Sequence, residues 1–538
     1  MGMSTQDTSI NSTNAGITSS NQQNELAPLY SNSQDNKNLK IIIFFFSMIT
    51  AIVSVVLFIQ LQYGDYQVIP HGSVASDNER CSMIGADIMK TGGNAVDAAV
   101  ATTFCISVIS PHLTGIGGGG LMLIYDHRQG QVLDSIDFRA QKGVNNAIGV
   151  PGFVAGLWTA HSQYGLLPWS KLIEPSIFLA KEGFEVTRSL MDSKAHVLPN
   201  MSHNLALKSW LSSLVEQELI TNQELAATLQ LISDEGGPAF YNNTLASTLT
   251  KWLPSQFVAS YEPKRNAGAR ATFQGYNILV SGAGSGGPYL IDSFPHVNSS
   301  SPSLVISLSM AFSENQLDAW PLVSGATVST TDTNDLFVSV VSGLGSILGS
   351  QFLTSGGYLL NNAVENTRPT DLKDGGFVPT LSTPVILTQA GAVCGRRFVF
   401  GSGDVRDGIQ TLLSLLKNTN QSQYSLNNPT TPLPSNTDSA SSNEETFAPK
   451  HFASPEDRIL SESIEAPRVR ILGPHIIREQ WHPAQLPTSE LLTLKNTFHL
   501  NLDISAPLPY PSSNIIEKIS DSIHAYSDSR GYGKSVVF

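Results

Sequence analysis

The residues with the clearest chemical potential are hydroxyl side chains clustered in the middle of the chain. Residues 327–333 read TVSTTDT, so five of these seven positions carry Thr or Ser. A hydroxyl becomes a nucleophile when a neighbouring base takes its proton. The same residue types are also common in turns and at the starts of strands. The cluster therefore indicates either a nucleophile or an ordinary turn, and the elements around it decide between the two.

Two runs of β-favouring residues follow the cluster, at residues 336–342 and 358–360, and Gly- and Ser-rich stretches separate them. Val and Phe at this density favour a pleated, half-buried surface. We therefore expect residues 324–362 to form a pair of strands at the centre of the fold. The hydroxyl cluster would then lie at the start of the first strand.

The composition is that of a large acidic protein. The chain has 538 residues, a formal charge of −13 and 41% hydrophobic residues, so it has enough apolar side chains for a large core. Because nucleic-acid-binding proteins carry a basic face, we expect no nucleic-acid partner. Three Cys allow at most one intramolecular disulfide and no cysteine-rich metal cluster. We expect no metal and no cofactor.

One segment has the length and composition of a membrane span. Residues 41–59 carry no charge, and at about 1.5 Å per residue they cross most of a hydrocarbon core of about 30 Å. The run is longer and further from the N-terminus than the apolar part of a signal peptide. Lys37 and Lys40 precede it and Asp65 is the first charge after it. The positive-inside rule then places the N-terminus in the cytoplasm.

These features predict a single-pass type II protein of the plasma membrane or a secretory-pathway membrane. We expect a disordered cytoplasmic tail at residues 1–40, a transmembrane helix at 41–61, a stalk at 62–73 and a domain outside the cytoplasm at 74–538. Four Asn-x-Ser/Thr sequons would be glycosylation acceptors in an exported domain. They begin at Asn200, Asn242, Asn298 and Asn420.

The outer domain alternates predicted helices and strands, as an α/β domain does. We expect helices at residues 78–90, 95–109, 153–164, 221–232 and 407–417, and strands at 121–125, 132–136, 276–281, 384–387 and 397–400. Thr221 and Glu224 have the capping-box spacing that opens a helix. Residues 117–120 are four glycines that enter a strand without the Lys of a phosphate-binding loop, so we interpret them as a close backbone approach. The Asn-, Ser- and Pro-rich residues 418–456 predict a disordered insertion.

Several long segments resemble the gamma-glutamyltransferases, also called glutathione hydrolases. The resemblance rests on ERCSMIGADIMKTGGNAVDAAVA, TGIGGGG, the Arg139 that ends a strand pair, residues 149–186 and the closing SDSRGYG. It covers most of residues 74–538, and within the family it is similar to the divergent, membrane-anchored gamma-glutamyltransferase 7 type. It implies an N-terminal-nucleophile hydrolase fold, which is a four-layer αββα sandwich. Residues 74–324 would correspond to the large subunit of the family and residues 325–538 to the small one.

The resemblance also implies a reaction. In this family the precursor cleaves itself before a Thr, whose freed hydroxyl takes a γ-glutamyl group from glutathione or another γ-glutamyl compound. The family's carboxylate-binding Arg corresponds to Arg139, and Glu365 corresponds to one of its acidic glutamate-binding residues. An ungapped count back from Val338 places the nucleophile at Gly325, which has no side chain, whereas a slip of two residues would place it at Thr327.

Other positions of the family's catalytic set differ as well. Pro379 and Thr380 stand near its Ser pair, and Asp404 and Val405 stand where two Gly would supply oxyanion donors. Catalytic groups act as a unit, so the loss of one removes most of the rate. We therefore expect an impaired, uncleaved protein, and the sequence does not identify its protein partner. The alternative is an active glutathione hydrolase that uses Thr327.

One structural feature of the family is retained. The resemblance implies a disulfide between Cys81 and Cys105, which lie on the first two predicted helices of the outer domain. We expect this bond to hold the two helices side by side.

Overall fold

The structure is a computed structural model that divides into two compact units, Met1–Val68 and Ile69–Phe538. It describes residues 33–63, 70–143, 147–201, 204–242, 245–296, 320–321, 324–365, 372–427, 454–472, 475–479, 492, 495–496, 501–504 and 511–538.

The first unit contains one long helix, α1 (Ser33–Tyr63). Its segment Leu39–Phe58 has 20 residues, a mean hydropathy of 2.9 and no buried part, so by length and composition it is able to cross a membrane. At about 1.5 Å per residue, this segment is about 30 Å long, which matches a hydrocarbon core. The predicted span is therefore helical, while its insertion and orientation stay predictions.

The helices of the second unit are numbered in chain order. They are α2 (Glu79–Lys90), α3 (Ala95–Ile109), α4 (Phe153–Tyr164), α5 (Trp169–Glu182), α6 (Arg188–Val197), α7 (Leu205–Ser213), α8 (Gln223–Glu235), α9 (Ala239–Asn242), α10 (Ala246–Thr250), α11 (Ser255–Ala259), α12 (Gly287–Asp292), α13 (Val405–Asn427) and α14 (Pro455–Ile464).

The strands follow the same convention. They are β1 (Ser73–Ser76), β2 (Gly119–Asp126), β3 (Gln131–Phe138), β4 (Gln141–Lys142), β5 (Gly149–Val150), β6 (Phe184–Glu185), β7 (Leu219–Ile220), β8 (Lys264–Asn266), β9 (Ala269–Phe273), β10 (Tyr276–Val280), β11 (Ser324–Thr331), β12 (Leu336–Gly345), β13 (Thr383–Gln389), β14 (Arg397–Ser402), β15 (Val469–Leu472), β16 (His475–Arg478), β17 (Asn501–Ile504), β18 (Ile515–Ile519), β19 (Ser522–Tyr526) and β20 (Lys534–Val537).

Two large sheets form the centre of the second unit. The first has the strand order β20-β1-β11-β12-β2-β3-β8, and the second has the order β19-β18-β14-β13-β10-β9. Their facing side chains form one buried apolar cluster, in which Leu123 and Phe337 of the first sheet join Ile386, Val399 and Ile516 of the second. Face-to-face packing of this kind requires apolar side chains at alternate positions of each strand.

Helices cover the outer face of each sheet. Phe104 of α3 and Phe153 of α4 pack in the cluster that contains Met122 of β2. On the other side, Leu412 of α13 and Leu460 of α14 share a cluster with strands of the six-stranded sheet. The layers therefore run helix, sheet, sheet, helix, which confirms the predicted four-layer αββα sandwich.

The ends of the first helices follow directly from their sequence. Asn78 caps α2 by accepting from the N–H groups of Arg80 and Cys81, and Asn94 forms a capping box with Asp97 at the start of α3. All residues of α3 are buried, as its small, apolar sequence predicts. A disulfide joins Cys81 to Cys105, with 5.4 Å between the Cα atoms, so α2 and α3 lie side by side.

The glycine run lies where the backbones of two strands approach each other closely. A Cβ atom at Gly118 would collide with the carbonyl oxygen of Gly343, and one at Gly120 would collide with that of Val341. Both carbonyls belong to β12, and residues 336–343 of this strand pair with β2. The absence of side chains at these glycines therefore brings β2 and β12 together, as the sequence interpretation requires.

Three expectations about secondary structure were wrong in detail. Most of the hydroxyl cluster does not precede the first strand but lies within β11, which contains residues 327–331 and pairs with β1 and β12, whereas Thr333 lies in the turn that follows. Residues 358–360 form only isolated bridges, through Leu359 and Leu360. The cap of α8 is Asn222 rather than Thr221, because the Asn222 side chain reaches the N–H of Leu225.

The boundary of the predicted insertion also differs. Helix α13 continues to Asn427, so residues 418–427 are helical. Residues 428–453 of the expected insertion lie outside the described residues, and its last two residues, 455–456, are the first residues of α14.

Candidate functional site

A small cavity lies where β2, β11 and β12 meet the loops that follow β3 and precede β13. Its volume is about 50 Å³, well below the roughly 300–1,000 Å³ of typical ligand pockets. It is lined by Gly119, Gly120, Arg139, Ala140, Ser324, Val341, Gly343, Gly345, Asn361, Ala363, Val378, Pro379, Thr380 and Ser382. The structure therefore brings Arg139, Pro379 and Thr380 of the predicted set together beside the first residue of β11.

Arg139 is held by the protein itself. The side chain follows β3 and is 7% exposed. Its Nε and Nη2 atoms donate to the two carboxylate oxygens of Asp137 at 2.8 and 2.6 Å. The remaining N–H groups donate to the backbone carbonyls of Gly284, of Val378 at 3.2 Å and of Ala283 at 3.3 Å. An arginine has five N–H donors, so each of them has an acceptor inside the fold.

Gly325 lies in a β-bulge at the start of β11. Ser324 pairs with Gly345 and Ala326 pairs with Ser342, so the register of β11 against β12 shifts across Gly325. A Cβ atom placed on Gly325 would lie 3.0 Å from the carbonyl oxygen of Ser342 and 3.8 Å from the Cα of Gly403. The position that the ungapped count assigns to the nucleophile therefore follows the lining residue Ser324 and lies close to Gly403, but it carries no hydroxyl.

Ser324 is a lining residue that the sequence analysis missed. Its Oγ atom is buried and has no hydrogen-bond partner among the described residues. The ungapped count back from Val338 ended at the next residue, Gly325. No local sequence pattern distinguishes Ser324 from the Thr and Ser residues that follow it.

Thr327 is enclosed in a hydrogen-bond network away from the cavity. It is completely buried and is not one of the described residues that line the cavity. Its N–H donates to Oδ2 of Asp77 at 2.8 Å, and its Oγ1 accepts from Nδ2 of Asn514 at 2.7 Å. The hydroxyl therefore contributes to the contact between β11 and the segment before β18.

Asp77 is the charged centre of that network. Its Oδ1 accepts from the hydroxyl of Ser512 and, at 2.6 Å, from Asn514. Complete burial raises the pKa of Asp77 from 3.8 to about 6, although these hydrogen bonds and that from Thr327 oppose the rise. Asp77 follows β1 directly and belonged to no sequence motif that we had singled out.

The loop before α13 is arranged differently from an oxyanion site. Asp404 is fully buried, and its carboxylate pairs with the side chain of Arg406, with Nε 2.9 Å from Oδ1. The N–H of Val405 donates to the carbonyl of Leu381 at 2.8 Å. The Asp404 carboxylate is thus neutralised inside the loop, and the Val405 N–H already has an acceptor.

The other predicted site residues lie apart from the cavity. Glu365 is exposed and does not line it. Asn200, Asn242 and Asn420 are exposed, as glycosylation acceptors must be, whereas Asn298 lies outside the described residues. Within the described part of the chain, no group of three or more His, Cys, Asp or Glu could hold a metal ion.

Comparisons with known proteins point to one family. Residues 81–297 match the family model described as Gamma-glutamyltranspeptidase. Glutathione hydrolase 7 of Rattus norvegicus is 34% identical over 208 residues, which are 35% of this chain and 31% of that protein. Glutathione hydrolase 2 of Arabidopsis thaliana is 34% identical over 249 residues, which are 41% of this chain and 43% of that protein. The chain thus spans less than half of the length of these relatives.

A solved structure shares the architecture. The cephalosporin acylase from Bacillus halodurans superposes with a TM-score of 0.65 over 87% of this chain and 96% of its own, at 17% sequence identity. At this level of identity, the similarity shows the N-terminal-nucleophile hydrolase fold alone.

Proposed function

We propose that this chain, whose residues 81–297 match the gamma-glutamyltranspeptidase model, is a membrane-anchored member of that family that does not cleave itself and whose γ-glutamyl chemistry is impaired. The observation that carries the proposal is Gly325. In the family reaction a hydroxyl oxygen attacks the γ-carbonyl carbon and holds the glutamyl group as an ester. Glycine supplies no such oxygen at this position, which follows the lining residue Ser324.

Thr327 is a poor substitute for the missing hydroxyl. Its side chain is buried, accepts a hydrogen bond from Asn514 and does not reach the cavity. To attack a substrate it would have to leave this network, and Asn514 and Asp77 would lose partners in the interior. Unpaired buried polar groups cost about 1–3 kcal/mol each. These costs argue against the alternative of an active glutathione hydrolase that uses Thr327.

Substrate binding is affected as well. The family resemblance assigns Arg139 to the glutamate carboxylate, but its five N–H donors are occupied by Asp137 and three backbone carbonyls. A carboxylate would have to displace these partners, and the ion pair with Asp137 is almost completely buried. The cavity volume of about 50 Å³ is also small for a tripeptide such as glutathione.

The predicted membrane topology completes the proposal. The apolar helix α1 anchors the chain, and Lys37 and Lys40 before its apolar segment favour a cytoplasmic N-terminus. The sandwich domain then lies outside the cytoplasm, with the Asn200, Asn242 and Asn420 acceptors at its surface. A domain that keeps the family fold without its chemistry would act through binding to a partner rather than through turnover.

The cleavage state of the mature protein tests this proposal. The full chain is produced in membranes, deglycosylated and separated on a denaturing, reducing gel, and γ-glutamyl release is measured with a chromogenic γ-glutamyl anilide. We expect one species of 57.8 kDa and no release above that of membranes without the chain. Two fragments, with the smaller one beginning at Thr327, would contradict the proposal.

If cleavage or activity is observed, two variants identify the hydroxyl that is responsible for it. Loss of both in Thr327→Ala would support the alternative, whereas their loss in Ser324→Ala would place the reacting hydroxyl at the first residue of β11. For the topology, Asn200→Gln and Asn242→Gln should each lower the apparent mass before deglycosylation. An unchanged mass in both variants would argue against a domain outside the cytoplasm.

A further inference from the structure

A buried cluster of charged residues holds the end of the sandwich domain against its beginning. Asp528 accepts from Arg468 at 2.7 Å and from Arg530 at 3.1 Å. Arg530 also pairs with Glu479 and, at 3.9 Å, with Glu465. Asp77 lies next to this group, because Ser512 bonds to Asp77 while the N–H of the following residue, Ser513, bonds to Asp528.

The cluster contains more carboxylates than cations. Four carboxylates, those of Asp77, Asp528, Glu479 and Glu465, lie with the two guanidinium groups of Arg468 and Arg530, so these six groups together carry two surplus negative charges when all are ionised. Both guanidinium groups form ion pairs with carboxylates other than Asp77. Among the described residues, no ion pair joins Asp77 to a cation. An exposed ion pair beside β1, Glu79 with Lys534, adds no net charge.

Asp77 is the carboxylate best suited to take a proton. It is buried, and the like charge of Asp528 raises its pKa further. Its contacts to the Thr327 N–H and the Asn514 amide need an acceptor, and when the proton lies on Oδ1, a carbonyl-like Oδ2 and the hydroxyl oxygen Oδ1 still provide one each. Ser512 is able to reverse its role, because a hydroxyl accepts as readily as it donates.

We propose that Asp77 is a proton-operated lock between β1, β11 and the segment 511–514, which tightens when the protein enters mildly acidic surroundings. Protonation removes one buried negative charge and keeps the hydrogen bonds that join these three parts of the chain. The proposal concerns the fold and is independent of whether the chain has enzymatic activity.

The expected change of stability with pH follows from the difference between the folded and unfolded states in the pKa of Asp77. Asp77 has a pKa of about 6 in the folded protein and a usual value of 3.8, so the folded state binds the proton more tightly than the unfolded state. Its contribution to stability is therefore present at low pH and is lost as the pH rises through about 6. Between pH 7.5 and pH 5, these two pKa values lower the unfolding equilibrium constant about tenfold.

Denaturant unfolding of the full chain in detergent tests the lock. The unfolding constant is measured at several pH values between 5 and 7.5 for the wild type, for Asp77→Asn and for Asp87→Asn. Asp87 lies on α2 with 70% of its side chain exposed, so it is a matched control for the chemical change. Between pH 7.5 and pH 5, the unfolding constant of the wild type should fall about tenfold more than that of Asp77→Asn. The unfolding constant of Asp87→Asn should fall as much as that of the wild type. The same pH profile in Asp77→Asn and the wild type would overturn the proposal.

A second variant decides the question if Asp77→Asn does not fold. The hydrogen bond from Ser512 lowers the pKa of Asp77, so Ser512→Ala should move the pH-dependent rise in stability to higher pH. The pH at which the backbone amides of residues 511–530 become protected against hydrogen exchange should also move to higher pH. A transition that stays in place, or moves to lower pH, would overturn the proposal.

Discussion

Replacing Arg139 by alanine should strongly destabilise the sandwich domain. The change would leave Asp137, which is 6% exposed, as a buried carboxylate without its cation, and it would deprive three backbone carbonyls of a donor. Breaking a buried ion pair by removing one partner costs about 3–5 kcal/mol. A typical domain is stable by about 5–15 kcal/mol, so this loss is a large fraction of the total.

Urea unfolding of the full chain in detergent, followed by tryptophan fluorescence, measures this cost. Arg188→Ala is the matched control, because that arginine also bonds to two carboxylates but is 56% exposed. Exposed pairs contribute at most about 1 kcal/mol, so the control should stay close to the wild type. The double variant Asp137→Asn with Arg139→Met removes both buried charges and should cost less than Arg139→Ala alone.

The reasoning fails if Arg139→Ala is within about 1 kcal/mol of the wild type. Arg139 would then be free to bind a carboxylate, as the family resemblance implies, and its contacts to Asp137 would be weak. In that case γ-glutamyl compounds should protect the wild type, but not the variant, against unfolding.

Two further changes test other contacts. Cys81→Ser, Cys105→Ser or the double variant should destabilise the domain by about 3.5 kcal/mol, the chain-entropy value for a loop of this length, and should lower export. Normal stability and surface levels would mean that the disulfide does not stabilise the domain. The hydrogen bond to Asp457 raises the pKa of His524 above 6.5, so this contact stabilises the fold below that pH and is lost as the pH rises through the raised value. His524→Gln should therefore cost about 1 kcal/mol more at pH 6 than at pH 8.5, and an equal cost at both pH values would contradict the charge on His524.

The sequence predicted the helices best where their ends are set by local chemistry. The bounds of α3 and α4 agree with the prediction, and α2 differs by one residue because Asn78 is its cap rather than its first turn. Caps depend on side chains only two or three residues away. Such short-range information is present in any single sequence.

The polar interior of the sandwich could not be predicted in the same way. Thr and Ser in β11 looked like a turn or a nucleophile, but they are buried strand residues whose partners are far away in sequence. Ser329 donates to the carbonyl of Asn514, 185 residues later, and Thr330 donates to that of Ala95, 235 residues earlier. Local rules for turns and strands contain no information about such partners.

Arg139 shows a different kind of error. Its principal partner, Asp137, lies two residues earlier in the strand, where alternation places both side chains on the same face. That signal was present in the sequence, but the resemblance to a carboxylate-binding arginine directed attention to an external ligand. The cavity lining was likewise beyond reach, since it joins loops and strands that are more than 100 residues apart.

The position of β1 in its sheet has a consequence for synthesis. This strand is made early, yet both of its neighbours come much later: it pairs with β11 and with β20, and Ser73 bonds to Val536, 463 residues further along. Until those strands emerge, β1 presents unpaired backbone groups that invite pairing with other chains. Contacts over such distances also slow folding. The ribosome therefore has to synthesise more than half of the sandwich domain before β11 can pair with one edge of β1, and almost all of it before β20 can pair with the other edge.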